Sequence, residues 1–303
     1  MADVMTVLGP VPAAELGHVQ PHEHVFSDIS WAVSRWDLPV LHDQVQMIEE
    51  VRLFGGAGGG TLVELTCMTI GRNPQGLKAV SEASGVHIVM GTGWYRAPYY
   101  PPEIERSTTA ELADRLVHDI EHGADDTGVR PGIIGEIGID KQWVQGVEER
   151  VLRAAARAQR RTGLALTTHT PPSSAMRMYD IFREEGVDPR RLVFGHVDNT
   201  LELDYLVEIA NLGAYVQFDL IGIEELNTDE RRADMLVELV RQGYGDQLLL
   251  SCDLAARRRL STNGGAGYAY LITEFLPRLR ARGLDDALLD QLTRVNPQRM
   301  LAG

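Results

Sequence analysis

The sequence predicts an α/β protein built as a (β/α)8 TIM barrel. Three observations lead there. Short apolar runs alternate with longer amphipathic runs along the whole chain. Chemistry-bearing residues stand near the ends of the apolar runs at a mean spacing of about 33 residues, close to one βα unit. No linker or shift of composition divides the 303 residues, so one domain over 1–303 is expected. An open, doubly wound sheet gives the same alternation and is the main competitor.

The first strand is expected around HVQPHEHVF (18–26), where Pro21 marks an irregularity. TLVEL (61–65), VHIVMGTG (86–93), GIIGEIGI (132–139), LALTTHT (164–170), RLVFGHV (191–197), GAYVQFD (213–219) and QLLLSCD (247–253) follow. Each is short and rich in aliphatic or β-branched residues, the pattern of a buried parallel strand. VEERVLRAAARAQRRTG (147–163) is the clearest helix: apolar residues recur at three and four, arginines take the other face, and Gly163 caps the end. DQVQMIEEVRLF (43–54), AELADRLVHDIEHG (110–123), TLELDYLVEIANLG (200–213) and DMLVELVRQG (234–243) have the same form, and a pair around 268–282 and 285–294 closes the chain. The count is eight strands, each followed by a helix. The notable strand-end residues are His24, Thr66, Gly93, Glu136, His169, His196, Asp219 and Asp253.

Composition narrows the function. Hydrophobic residues make up 44% and charged residues 24%, enough for a large core. The net charge of -14 argues against nucleic acid or an anionic membrane as partner. Arg257, Arg258 and Arg259 form a local basic patch, expected in a solvated loop. Two cysteines, Cys67 and Cys252, make no disulfide scaffold, and alternation turns Cys252 away from the barrel interior as a buried structural thiol. No signal-peptide pattern and no spanning apolar stretch is seen, so a cytoplasmic protein acting on a small molecule is the expectation.

The chemistry gathers at the strand ends. His22 and His24 are two apart on one strand, so both rings point to the same side. His169, His196 and Asp253 close later strands, and Glu136 stands in the fourth. Polar groups inside apolar strands cost free energy unless satisfied. Four imidazoles and two carboxylates at one barrel mouth are what a divalent-metal site requires. Other features are weaker. His118 and His122 are spaced as in a zinc-protease helix, but Asp119 replaces the required Glu, and a solvated face is expected. GGAGGG (55–60) lacks the Lys-Ser/Thr of a phosphate loop and reads as a flexible helix-to-strand turn. Gly264, Gly265 and Gly267 make no dinucleotide fingerprint and are expected to shape the loop after the eighth strand. Trp94, Tyr95, Tyr99 and Tyr100 with Pro98, Pro101 and Pro102 suggest an aromatic wall or a rigid loop beside the mouth.

Taken in order, HEH, GTGWY, GEIGI, TTHT, GHVD, LLSCD, GGAGY and NPQRML resemble the phosphotriesterase family of the amidohydrolase superfamily, over essentially the whole chain. The resemblance implies two divalent metal ions at the carboxyl end of the barrel. His22, His24 and Asp253 would hold the more buried ion, His169 and His196 the more exposed one, and Glu136 would bridge them. The donor set suits Zn²⁺ first, with Mn²⁺, Co²⁺ or Fe²⁺ also compatible. Phosphotriesterases and related lactonases bridge with a carbamylated lysine. Here the strand reads GEIG, similar to the phosphotriesterase-homology-protein branch, and Lys141 does not match the bridging position. Tyr95 matches a tyrosine beside the metals in lactonase members, whereas Leu220 replaces an arginine typical of them.

The implied chemistry is attack by a metal-bridging hydroxide, with Asp253 shuttling its proton and Tyr95 orienting the electrophile. Hydrolysis of a small ester or lactone is the first expectation, and amide hydrolysis of a small N-acyl compound the second. Phosphotriester turnover would be a weak side activity. A non-catalytic binding protein stabilised by metal is the reading from another class, and a homodimer is implied by the resemblance alone.

Overall fold

The computed structural model describes residues 2–30 and 40–303. Eight parallel strands form the barrel: β1 (His18–Glu23), β2 (Gly59–Glu64), β3 (His87–Thr92), β4 (Ile133–Gly138), β5 (Leu166–His169), β6 (Leu192–Gly195), β7 (Tyr215–Phe218) and β8 (Leu248–Leu250). They pair in sequence order from β1 to β8. Side-chain and loop bonds bridge β8 to β1: the His22 N–H donates to Ser251 Oγ at 3.0 Å, and the Asp253 N–H donates to the His22 carbonyl at 3.2 Å. The helix behind each strand is α1 (Gln44–Gly56), α2 (Pro74–Ser84), α3 (Thr109–His122), α4 (Gly146–Thr162), α5 (Ala175–Glu184), α6 (Leu203–Asn211), α7 (Asp229–Arg241) and α8 (Leu271–Ala281), whose first turn is a π-helix. This is the predicted (β/α)8 barrel, not the doubly wound sheet.

Helix ends follow local chemistry. Asp43 accepts from the Val45 and Gln46 N–H groups to start α1. Thr108 and Glu111 make a reciprocal capping box on α3, and Gly163 ends α4 in the left-handed region at φ 73°. Two helices, α2 and α5, belong to the expected count of eight but had no range assigned from the sequence. The first opens with an Asn73 cap and Pro74 in its first turn, a start signal that Gly76 obscured. The second has only ten residues. Seven of the eight strands are shorter than the predicted runs because end residues of each run leave the ladder, whereas β2 begins two residues early, at Gly59.

The barrel interior is apolar at its amino end, where Val19, Val63, Val89, Ile133, Val193 and Leu249 cluster with Leu16, Met300 and Leu301. A hairpin of Asp3–Thr6 and Gly9–Pro12 and a helix over Asn296–Ala302 lie at this end. Polar residues are thereby left to the carboxyl end. GGAGGG is the expected helix-to-strand turn, carrying the chain from α1 into β2, and it is packed at its end: Gly59 and Gly60 belong to β2, and a Cβ at Gly60 would fall 2.3 Å from the Leu16 carbonyl oxygen. Among the described residues no helix is long and apolar enough to cross a membrane.

Candidate metal centre

All six side chains expected at the mouth meet there. His22 projects from β1 and His24 from the residue just past Glu23. Glu136 lies within β4, and His169 ends β5. His196 follows β6, and Asp253 lies in the loop beyond β8. Glu136 stands at the centre. Its Oε1 is 2.7 Å from His169 Nδ1 and 2.9 Å from His196 Nε2. Its Oε2 faces the other pair, 3.7 Å from His22 Nε2 and 3.8 Å from His24 Nε2. Asp253 Oδ1 is 3.1 Å from His24 Nε2 and 3.7 Å from His22 Nε2. The ligand atoms of His22, His24 and Asp253 form one compact group and those of Glu136, His169 and His196 another.

Neighbouring groups fix the imidazole tautomers. Thr66 Oγ1 donates to the Phe26 carbonyl at 2.6 Å, so it accepts from the Nδ1–H of His24 at 2.9 Å. That leaves His24 Nε2 as the ring atom facing Asp253 Oδ1. Asp219 does the same for two rings at once, Oδ2 to His22 Nδ1 and Oδ1 to His196 Nδ1, both at 2.8 Å. Gly195 makes room for it: a Cβ there would stand 2.5 Å from the Thr168 carbonyl oxygen and 3.0 Å from Asp219 Oδ2. Sequence reasoning placed Asp219 at a strand end but gave it no role; its position one residue past β7 was the available signal. Asp198, two residues past His196, was also missed. Its Oδ2 accepts from the Leu220 N–H at 3.1 Å and from Arg232 Nε at 2.8 Å, tying the loop after β7 to α7.

The electrostatics ask for positive charge at the centre. Among the described residues His22 Nε2 is buried without a hydrogen-bond partner, which a ligand to a cation would explain. Burial opposes charge on His22, but Asp219 and then Glu136 overcome it and lift its pKa to about 10. Burial likewise opposes charge on Glu136, yet the imidazoles of His22, His169 and His196 hold it well below the usual carboxylate range. The ion pairs of Glu136 among the described residues are all with imidazoles. Three carboxylates, of which Glu136 and Asp219 are buried, and four imidazoles, with no lysine or arginine among them in the described residues, form a donor set that fits divalent cations.

Tyr95 stands edge-on to His169 with ring centroids 4.7 Å apart, at the rim of this cluster. The rest of the expected aromatic wall is elsewhere. Trp94 and Tyr99 are fully buried, and Tyr100, Pro98, Pro101 and Pro102 line a separate cavity of about 490 Å³ with Asp140 and Lys141. Lys141 stacks over Trp143 at 5.2 Å and takes no part in the centre. His118 and His122 stack on the exposed face of α3. Arg257 and Arg258 are exposed, but Arg259 departs from the expected solvated patch, because its guanidinium folds under Asp253. Cys252 is buried, and burial pushes its thiol pKa well up.

Comparison with known proteins agrees with this geometry. Residues 2–301 match the phosphotriesterase family. The phosphotriesterase homology protein of Escherichia coli is 36% identical over 285 residues, covering 93% of this chain and 97% of that one. Its crystal structure, with phosphate in the active site, superposes with a TM-score of 0.92 at 35% identity over 95% of this chain and 99% of that one. The N-acetyltaurine hydrolase of Homo sapiens is 33% identical over 98% of this chain and 97% of its own length. A lactonase from Listeria monocytogenes superposes with a TM-score of 0.94 at 26% identity over 99% of both chains. A family match from end to end, on a barrel of the same shape, leads to one conclusion: the chain belongs to the phosphotriesterase family.

Proposed function

We propose that this protein is a hydrolase that uses two divalent cations, Zn²⁺ being the best suited, to cleave an acyl bond in a small molecule. One observation carries the reading: the two oxygens of Glu136 face two different pairs of imidazoles. His22, His24 and Asp253 would hold one cation and His169 and His196 the other, with Glu136 between them. When bound, the cations supply Lewis-acid activation of water and of the scissile carbonyl. Asp219 keeps a proton on Nδ1 of His22 and His196, so that Nε2 of each ring is the atom left to hold a cation. Asp253, 18% exposed where Glu136 is 3% exposed, can take a proton from the attacking water at Oδ1 and pass it to the leaving group. Tyr95, beside His169 at the rim, can orient the electrophile.

Two acyl bonds compete. The ester or lactone was the first expectation, and a lactonase shares the fold. The amide of a small N-acyl compound now stands ahead, because Glu136 and Leu220 both depart from the lactonase pattern and the N-acetyltaurine hydrolase is more similar in sequence. The test is a panel of N-acetyl amino acids, N-acetyltaurine, lactones and aryl esters, assayed before chelation, after it, and after Zn²⁺ is restored. Turnover lost with the metal and regained with it supports the hydrolase. A protein that binds two equivalents of metal and turns over nothing on the panel would instead be a metal-stabilised binding protein.

A further inference from the structure

Asp253 lies in the left-handed region at φ 44°, a conformation a non-glycine residue keeps only when its surroundings hold it there. Two groups from separate parts of the chain do so. Glu23 is the middle residue of the HEH motif and alternates to the opposite side of β1 from the two imidazoles. Its carboxylate brackets Asp253: Oε1 accepts the Cys252 N–H at 2.8 Å and Oε2 accepts the Leu254 N–H at 2.9 Å. Arg259 closes the other side. Its Nη1 donates to the Asp253 carbonyl at 2.7 Å and its Nη2 to the Cys252 carbonyl at 2.9 Å. Every peptide group flanking Asp253 is therefore occupied, since its own N–H donates to the His22 carbonyl at 3.2 Å.

The glycine-rich stretch after β8 lets Arg259 return. A Cβ at Gly265 would lie 2.4 Å from the Arg259 backbone, and the Gly267 N–H donates to the Arg259 carbonyl at 2.8 Å. The next residue, Tyr268, donates its hydroxyl to the His24 carbonyl at 2.6 Å. The loop is thus pinned to β1 on both sides of the metal-facing pair His24 and Asp253.

We infer that Glu23 and Arg259 are positioning residues that together hold the Asp253 carboxylate against His24 in the geometry the metal centre needs. This rests on the ligand role proposed above for Asp253. The test is a double-mutant cycle read by Co²⁺ titration of the apoprotein, with folding checked by circular dichroism. Arg259→Met is expected to weaken the binding of one of the two ions by at least ~10-fold, in the range for loss of an outer partner of a metal ligand. Arg259→Lys, with one ammonium for two carbonyls, should fall between. In an Asp253→Asn background the same Arg259→Met change should add less than about twofold, because its target is already gone. Where Arg259→Met does not fold, the isosteric Glu23→Gln carries the same cycle, as its amide would oppose the Leu254 or Cys252 N–H. Wild-type affinity in a folded Arg259→Met or Glu23→Gln protein, or an equal penalty in both backgrounds, overturns the clamp while leaving the hydrolase reading intact. Failure of the wild-type apoprotein to bind Co²⁺ overturns both.

Discussion

Asp219 and His22 are joined at the bottom of the mouth, Oδ2 to Nδ1 at 2.8 Å with neither side chain exposed. The other oxygen of the same carboxylate holds His196. One side chain just past the seventh strand therefore sets the ring orientation of a residue on the first and of one just past the sixth, one in each of the two proposed cation sites. A carboxylate in this position also raises the basicity of the imidazoles it holds.

Asp219→Asn keeps the shape but removes the charge and one acceptor. Metal affinity is expected to fall by roughly 10- to 100-fold, the range for such outer partners. Equilibrium dialysis against Zn²⁺ with elemental analysis measures it, and both ions should be weakened because both rings lose their anchor. Weakening of a single ion would mean that the two rings are oriented independently.

Glu136→Ala removes the carboxylate whose two oxygens face the inward nitrogens of both imidazole pairs. The variant should retain fewer than two metal equivalents after gel filtration, and activity should not return on addition of Zn²⁺. Two full equivalents in the folded variant would reject the bridging role.

Asp253→Asn, assayed with metal in excess so that the site stays loaded, should lose at least ~10²-fold in kcat, the lower end for loss of a general acid–base group. KM should change far less. Near-normal turnover would remove Asp253 from the proton path.

His18 gives a prediction that is independent of the metal. Burial, and then the charge of Arg294, lower its pKa from 6.5 to about 4. The folded state thus resists a proton that the unfolded state accepts. Above about pH 6.5 both states are neutral at this residue and its contribution is fully present. Between about pH 6.5 and 4 the unfolded chain protonates first, and stability falls by up to about 3 kcal/mol. His18→Gln should flatten that part of the stability curve, measured by urea unfolding across pH 4–7. An unchanged acid slope would assign it to other groups.

The barrel and the six clustered side chains were legible because both depend on regular spacing. Strand-period alternation put His22 and His24 on one face, and recurring βα units put Glu136, His169, His196 and Asp253 at one end. What the sequence did not reveal depends on depth and on reach between distant segments. Asp219 and Thr66 were visible as strand-end residues, but only the packed barrel shows which ring each one holds. Arg259 read as part of a basic surface patch because local composition cannot tell a guanidinium that folds under a loop from its two exposed neighbours. Trp94 and Tyr99 left a mouth lining and a rigid loop equally open, because aromatic residues in a loop signal burial without saying on which side.

The central group of the proposed site is the side chain of an ordinary glutamate. A bridging lysine carbamate would depend on dissolved carbon dioxide and would be lost when the gas is removed. Glu136 arrives complete with the translated chain. Protein unfolded and refolded in degassed buffer free of bicarbonate should therefore regain its full complement of metal from Zn²⁺ alone.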